Sequence, residues 1–579
     1  MICFGANIGG VVVGFFIKNQ ACLLNYKQCN LLIRKISGIN NFFANQEQAD
    51  ELSDKIRTAD VVASEPDRRA YGDFQTNMSL AKKVAKYALS KYRDVEFLLE
   101  PTCGKGNFLL AAIEQSSGLK KVVGIEIYQP YVWETKFKIL EHFLLERRER
   151  VPEIEIIHAN VFEFPFEKLA KSTKNLKTLI IGNPPWVTNS ELGSIDSRNL
   201  PPKSNFKKDK GFDAITGKGN FDIGEYISLL MFKYFDRHTG LFAFLVKNSV
   251  VKSVIKYQRK YNFRIGQSEQ LNIDAKKEFG VSVAAGLFLT HLSCDPGYTC
   301  LEQDFYTHKP STTFGWYKNR FVYSIQDYDA SAMLDGESAF VWRSGVKHDC
   351  AKVMELGRNE GHYTNALGES FELENDLVYG LLKSSDLRAS VVTSFRKMIV
   401  ITQQKIGQDT AYIKERYPHT YRYLWSHKSF FDKRKSGIYK GKPDFSIFGI
   451  GDYSFAPYKV AISGLYKSTH FSLVHPVEGK PVMLDDTCYF IGFDHLKMAE
   501  IAHYLLNSAL VQRFLKSIIF SGSKRPVTKD ILMRIDFESA FERLEFNSAQ
   551  KHIPGLGKAH WDVFRELIKT ESTEQVPLF

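Results

Sequence analysis

Between residues 77 and 295 the apolar positions alternate between two periods. "NMSLAKKVAKYAL" carries apolar residues at helical spacing, with Asn77 or Ser79 available as a cap, and predicts a helix. "EFLLEP" reads as a short buried strand, "CGKGNFLLAAIEQ" as a glycine turn entering a helix, "KVVGIEIY" as a second strand and "YVWETKFKILEHFLLERR" as a second helix. "IEIIHANVF" and "TLIIGNPPW" give a third and a fourth strand, "DIGEYISLLMFKYF" a further helix, and "LFAFLVKN" and "VAAGLFLTHL" two more strands. Strands alternating with helices predict an α/β fold with a doubly wound, mostly parallel, Rossmann-like sheet. Its ligands should lie beyond the C-terminal ends of the strands.

The alternation fades near residue 300. Residues 305 to 345 are aromatic and turn-rich without a clear period, and the rest mixes short strand-like runs with helices such as "MAEIAHYLLNSALVQRFLKSI". The expected division is an N-terminal extension and linker over 1–66, the doubly wound domain over 67–305, a linker over 306–340 and a mixed α+β domain over 341–579. The opening "MICFGANIGGVVVGFF" is apolar but has no basic region before it, no clear cleavage site and too little length to span a bilayer, so a non-essential extension is expected, with a buried helix, a weak signal-like segment or residues upstream of the true start as the alternatives. No other run is long enough to cross a membrane, and no membrane partner is expected.

Composition sharpens this picture in two respects. The formal net charge is +12, which fits a polyanionic partner, nucleic acid first. The eight cysteines form no CxxC pair and no dense framework, so free thiols in a reducing, cytoplasmic compartment are expected. His291, Cys294, Cys300 and His308 lie close in sequence but at no common zinc spacing, and no metal site is expected.

The chemistry concentrates in two corners. In "LLEPTCGKGNFL", Gly104 and Gly106 allow the backbone to approach a ligand, and the helix that follows offers free N–H groups. Glu126 ends the next strand, where an acid can accept hydrogen bonds from both hydroxyls of a ribose. Leu109 stands where a dinucleotide turn would place its third glycine, which argues against a dinucleotide. The second corner is Asn183, Pro184, Pro185 and Trp186. Its prolines fix the Asn183 side chain and the Pro184 carbonyl, two acceptors suited to an exocyclic amine, and Trp186 offers a flat face for a planar base. An amine, two acceptors and a methyl donor are what N-methylation of a base requires, mostly through positioning and electrostatics.

"YGDFQTNMSLA", "EPTCGKGNF", "GIEIY" and "IGNPPW", in that order, resemble an amino-group DNA methyltransferase that uses S-adenosylmethionine, and their arrangement resembles the gamma class of N6-adenine enzymes. The likeness covers roughly 68 to 295, and "FVWRSGVKHD" and "GIGDYSFAPYKVAISGLYK" look like target-recognition regions of Type II restriction–modification methylases. The resemblance implies a methyltransferase domain over 67–305 and a DNA target-recognition domain over 341–579. It places Phe74 and Thr76 near the methionine part of the cofactor, Pro101, Cys103, Gly104, Gly106 and Phe108 in its backbone cradle, and Glu126 on the ribose. Asn160 stands where the family often has Asp, against the adenine of the cofactor, with Val161 packing on that ring. Asn183, Pro184, Pro185 and Trp186 would be the catalytic corner, and Phe279 a second aromatic against a base flipped out of double-stranded DNA. The basic stretches "KSVIKYQRKYNFR", "KSFFDKRKSGIYKGK" and "SGSKRPVTKD" are candidates for phosphate contacts.

Several other readings share parts of this pattern. An N4-cytosine enzyme also methylates an exocyclic amine, although Ser is commoner at the first corner position there. RNA and protein N-methyltransferases carry similar corners but are usually shorter. No Pro-Cys motif supports C5-cytosine chemistry, and Cys103 reads as a small packing residue. A DNA-binding protein on an inactive fold is opposed by the intact corner, glycines and Glu126. No convincing P-D…(D/E)-x-K arrangement marks a fused nuclease, so a monomeric methylase in a prokaryotic cytoplasm, with a separate cognate endonuclease, is expected.

Overall fold

The computed structural model describes residues 10–58, 75–146, 148–188, 222–359, 361–466, 468–520 and 525–569. The chain forms two compact units, Met1–Phe321 and Val322–Phe579.

The first unit is built on a ten-stranded sheet in the order β10-β9-β8-β6-β7-β5-β4-β1-β2-β3. Its strands are β1 Phe97–Glu100, β2 Lys121–Glu126, β3 Glu153–His158, β4 Thr178–Gly182, β5 Gly240–Lys247, β6 Ile265–Ile273, β7 Ala285–Leu292, β8 Thr299–Asp304, β9 Pro310–Tyr317 and β10 Arg320–Val322. β3, β2, β1, β4 and β5 are parallel to one another, and β7 is antiparallel to both β5 and β6. The helices are α1 Gly10–Lys18, α2 Tyr26–Ser37, α3 Gln46–Thr58, α4 Met78–Lys91, α5 Asn107–Gln115, α6 Gln129–Leu145, α7 Phe166–Thr173, α8 Ile223–Phe235, α9 Asn248–Tyr261 and α10 Ala275–Phe279. β1 and β4 are buried at every residue, as largely apolar strands covered on both faces are.

The order of strands reverses at β1. β2 and β3 continue to one side of it, while β4 and β5 return to the other. The crevice at such a switch point opens between the C-terminal ends of β1 and β4. The glycine turn leaves β1 there, and Asn183 leaves β4 beside it.

The structure departs from the sequence expectations in three places. The N-terminal extension is, over residues 10–58, part of the core of this unit. Phe16 of α1 is 1% exposed and packs against the rings of Phe42, Phe43 and Phe137. Glu51 of α3 accepts hydrogen bonds from Trp133 Nε1 (2.8 Å) and Gln129 Nε2 (2.7 Å), tying α3 to the first turns of α6. The segment expected to be a linker over 306–340 carries β9, β10 and the helix Ile325–Asp329, and the division falls after Phe321 rather than near 340. Its aromatic residues mask the alternation that marks a strand. β6 is absent from the sequence reading because its residues are polar; Ser268 and Gln270 are nonetheless buried, and Ser268 is bonded to Thr290 (2.9 Å) and Gln270 to Asn272 (2.9 Å).

The second unit holds two sheets. One runs Arg343–Ser344, Cys488–Phe493, Tyr458–Ser463, Ser472–Val474, Val391–Val392; the other runs Ser370–Phe371, His362–Thr364, Glu355–Asn359, Lys397–Val400, Val378–Leu382, Met483–Leu484. Helices Leu496–Leu506, Ala509–Ile518 and Lys558–Lys569 bury one apolar face each, which makes this unit mixed α+β. Among the described residues no helix is long and apolar enough to cross a membrane.

Candidate active site

The glycine turn is shaped by its neighbours inside the protein. Gly104 (φ +50°) and Gly106 (φ +72°) both lie in the left-handed region that favours glycine. A Cβ on Gly104 would sit 2.6 Å from Gln75 Oε1, and one on Gly106 would overlap the Thr135 side chain. The backbone therefore needs glycine here for its own packing as well as for any ligand. Gln75 Oε1 accepts the Lys105 N–H (3.1 Å), Asn107 Nδ2 donates to the Thr76 carbonyl (2.8 Å), and Thr135 Oγ1 donates to the Gly104 carbonyl (3.0 Å). Cys103 is buried, and burial raises its thiol well above the ordinary value, with Glu100 and Glu126 adding to the rise. Burial of this kind keeps a thiol in its protonated, poorly nucleophilic form. Phe108 is also buried, on the inner face of α5 at 2% exposure, while Pro101 begins the turn at the end of β1.

Glu126 ends β2 next to this turn. Its Oε2 accepts the Gly104 N–H (2.8 Å) and its Oε1 the Tyr128 N–H (2.7 Å). These backbone bonds fix the direction of both carboxylate oxygens. Asn160 and Val161 follow β3, where the Ala159 N–H donates to the Glu126 carbonyl (3.0 Å). Asn160 Oδ1 already accepts the Phe162 N–H (3.0 Å), which steadies the turn and leaves it one further lone pair.

Glu100, which sequence reasoning passes over, ends β1 at 2% exposure. Burial drives its carboxyl well above the usual range; the Leu109 N–H opposes the rise and Glu126 adds to it. Its Oε2 has no hydrogen-bond partner among the described residues. A buried carboxyl oxygen left without a partner in this way is expensive. The signal in the sequence is an acid inside an otherwise apolar strand.

The second corner follows β4, two strand ends from Glu126. Asn183 Nδ2 donates to Thr76 Oγ1 (3.2 Å), and Thr76 is 6% exposed. With the amide nitrogen committed to Thr76, the side-chain oxygen faces the other way. Thr76 thus joins the two corners, through its carbonyl to Asn107 of the glycine turn and through its hydroxyl to Asn183. Pro184 is buried and Pro185 half-buried. The start of α8 braces both: the Ile223 N–H donates to the Val187 carbonyl (2.9 Å), and Asp222 caps Gly224 (2.9 Å) while pairing with Lys247 Nζ (2.8 Å).

Trp186 is 6% exposed and its Nε1 donates to the Leu245 carbonyl (3.1 Å). The half-buried Phe279 meets it edge-on, with ring centroids 4.9 Å apart and planes at 64°. A base between two rings needs about twice the ~3.5 Å contact distance, so this pair does not admit one between its members as it stands. Phe74 lies outside the described residues. Of the four His and Cys residues considered for a metal, His308 stacks on Tyr87 (4.9 Å, 10°) and Cys300 is buried, and among the described residues no three His, Cys, Asp or Glu side chains group as metal ligands.

No family model matches the chain. It is 38% identical over 470 residues to the Type II methyltransferase M.NspV of Nostoc sp. (strain ATCC 29411 / PCC 7524), an alignment spanning 81% of this chain and 96% of that protein. The chain belongs to the Type II methyltransferases. It is a DNA methyltransferase of a restriction–modification system, and S-adenosylmethionine is its cofactor. The structure of the Type IIL restriction–modification enzyme MmeI in complex with DNA shares the fold, with a TM-score of 0.50 at 12% identity over 85% of this chain and 72% of that one. The residues of the methyltransferase fit the cofactor. Glu126, its two oxygens oriented by the Gly104 and Tyr128 N–H groups, would hold the ribose hydroxyls, and the buried Glu100 oxygen without a partner among the described residues lies at the end of the neighbouring strand.

Proposed function

We propose that this methyltransferase modifies the N6 amino group of adenine in a specific duplex sequence, with the target base turned out of the helix. The observation that carries the reading is the Asn183 amide held by the Thr76 hydroxyl at the switch point of the sheet. An exocyclic NH2 has two protons, and the Asn183 side-chain oxygen and the Pro184 carbonyl are two acceptors on a stiff backbone. Accepting both protons orients the nitrogen lone pair away from them and favours its pyramidal form during attack. S-adenosylmethionine supplies the electrophilic methyl group. Thr76 keeps the acceptors aligned, Pro184 and Pro185 prevent the corner from relaxing, and Trp186 lines the base site. The base stacks on Trp186 once Phe279, carried on the short helix α10 ahead of Gly280, swings aside.

Turning a base out of the stack costs a few kcal/mol, which contacts to the duplex must offset. The formal charge of +12 supports such contacts. We further propose that the enzyme acts as a monomer in a prokaryotic cytoplasm, and that a separate endonuclease cuts the same unmodified site.

The test is transfer of tritium from labelled S-adenosylmethionine to unmodified duplex DNA, followed by hydrolysis to nucleosides. Label in N6-methyladenine is expected. Label in N4-methylcytosine would replace adenine by cytosine, and no label in DNA would overturn the substrate reading. Cleavage of unmodified DNA by the purified chain with Mg²⁺ would refute the separate endonuclease.

A further inference from the structure

The second unit carries a basic loop that is anchored from below and unpaired above. The stretch 428–442, "KSFFDKRKSGIYKGK", holds six basic residues and one acid. Two of the basic residues are used internally. Lys428 pairs with Asp444 (2.7 Å) and Asp432 (3.4 Å), fixing the start of the loop. Arg434 turns inward, donates to the carbonyls of Phe431 (3.1 Å), Ser446 (2.7 Å) and His348 (3.3 Å), and lies over the Tyr439 ring at 3.7 Å. Tyr439 in turn meets Phe448 edge-on at 5.4 Å. These contacts hold both limbs of the loop to the sheet core.

The other four cations are spent on nothing inside the protein. Lys433, Lys435, Lys440 and Lys442 are all exposed, and among the described residues none makes an ion pair or a side-chain hydrogen bond. Gly437 and Gly441 between them have open space where a Cβ would stand. Ile438, at the short turn Gly437–Tyr439, is 40% exposed. Four like charges within ten residues repel one another, and a fold that pins them together on an anchored loop incurs that repulsion without any internal return. A polyanion with regularly spaced charges removes it.

We propose that the Lys433–Lys442 loop is a phosphate clamp that grips the backbone of the DNA substrate. The inference rests on the DNA reading above and adds to it a specific site. Lysine suits the task, being a point charge on a flexible stem that finds a phosphate without demanding a base sequence. The loop therefore supplies affinity rather than site choice. Its anchoring through Arg434 and Tyr439 limits the entropy lost when the lysines engage.

The experiment uses the full chain and a fluorescein-labelled duplex of mixed sequence, with binding followed by anisotropy over a range of KCl concentrations. Replacing Lys433, Lys435, Lys440 and Lys442 together by Gln should lower the slope of log K against log[KCl] by about 0.9 for each phosphate that is no longer neutralised, up to about 3.6. A control variant removes the same charge from exposed positions of the first unit, with Lys18, Lys27, Arg34 and Lys35 replaced by Gln. It should change the slope by less than about 0.9, the value of a single phosphate. Circular dichroism and thermal unfolding like those of the wild type, covering both units, confirm that both variants are folded. If the loop variant keeps the wild-type slope, or if the two variants fall alike, the clamp is wrong while the DNA reading stands. If the wild-type chain binds S-adenosylmethionine but no duplex, the DNA reading falls and the clamp with it.

Discussion

Replacing Thr76 by Val preserves the shape of the side chain and removes the acceptor for Asn183 Nδ2. The bond spans 3.2 Å in a site where Thr76 is only 6% exposed, so water does not readily replace the hydroxyl. Leaving a buried amide N–H unsatisfied costs about 1–3 kcal/mol. The amide escapes that cost by rotating, and rotation takes its oxygen away from the substrate amine. If about 1.4–2.8 kcal/mol of transition-state stabilisation is lost in this way, methyl transfer at saturating cofactor and DNA slows about 10- to 100-fold. Thr76→Ser keeps the hydroxyl and should recover most of the rate. The assay is tritium transfer to unmodified duplex, with cofactor affinity measured separately by calorimetry. Cofactor affinity should change little. A Val variant with wild-type kcat would refute the orienting role. A loss of cofactor affinity equal to the loss of rate would assign Thr76 to the methionine part of the cofactor instead.

Three further outcomes follow from the geometry. Glu126→Gln removes the charge that accepts Gly104 N–H and Tyr128 N–H, so cofactor affinity by calorimetry should fall about 10- to 100-fold, in line with a charged hydrogen bond, with a smaller effect on kcat at saturation; an unchanged Kd would remove Glu126 from the ribose site. Lys459 is buried in the second unit with its Nζ on the Ala456 carbonyl (2.7 Å), and burial lowers its pKa from 10.5 to about 7. The unfolded chain then holds more protons than the folded one between pH 7 and 10.5, so stability from this group rises with pH across that window and is flat below it. Denaturant melts should show about 2 kcal/mol gained from pH 7 to 9, and Lys459→Met should abolish that gain; an equal gain in the variant would exclude Lys459 as its source. Phe16→Ala should destabilise the first unit by about 3–5 kcal/mol in thermal or denaturant unfolding, since a fully buried ring leaves a cavity; a change below about 1 kcal/mol would mean that α1 is only loosely attached.

The sequence by itself determined the five parallel strands, the glycine turn, Glu126 and the Asn183–Trp186 corner. Each is a local event: a short apolar run bounded by turn residues reads as a strand, and a turn with glycine or two prolines has few conformations open to it. What it left undecided depends on partners distant in the chain. Thr76 and Asn183 meet only because β1 and β4 are neighbours in the sheet, and no spacing shows which way the amide turns. Glu100 gains its unpaired oxygen from surroundings assembled by β1, α5 and Glu126. Residues 10–58 read as a dispensable extension because their apolar positions are matched partly by Trp133 and Phe137 of α6, far along the chain. The four lysines of the loop at 433–442 look like any charged surface until Arg434 and Tyr439 are seen to anchor them. Local sterics fix the corners of this protein, and only packing across the sheet decides which groups face one another.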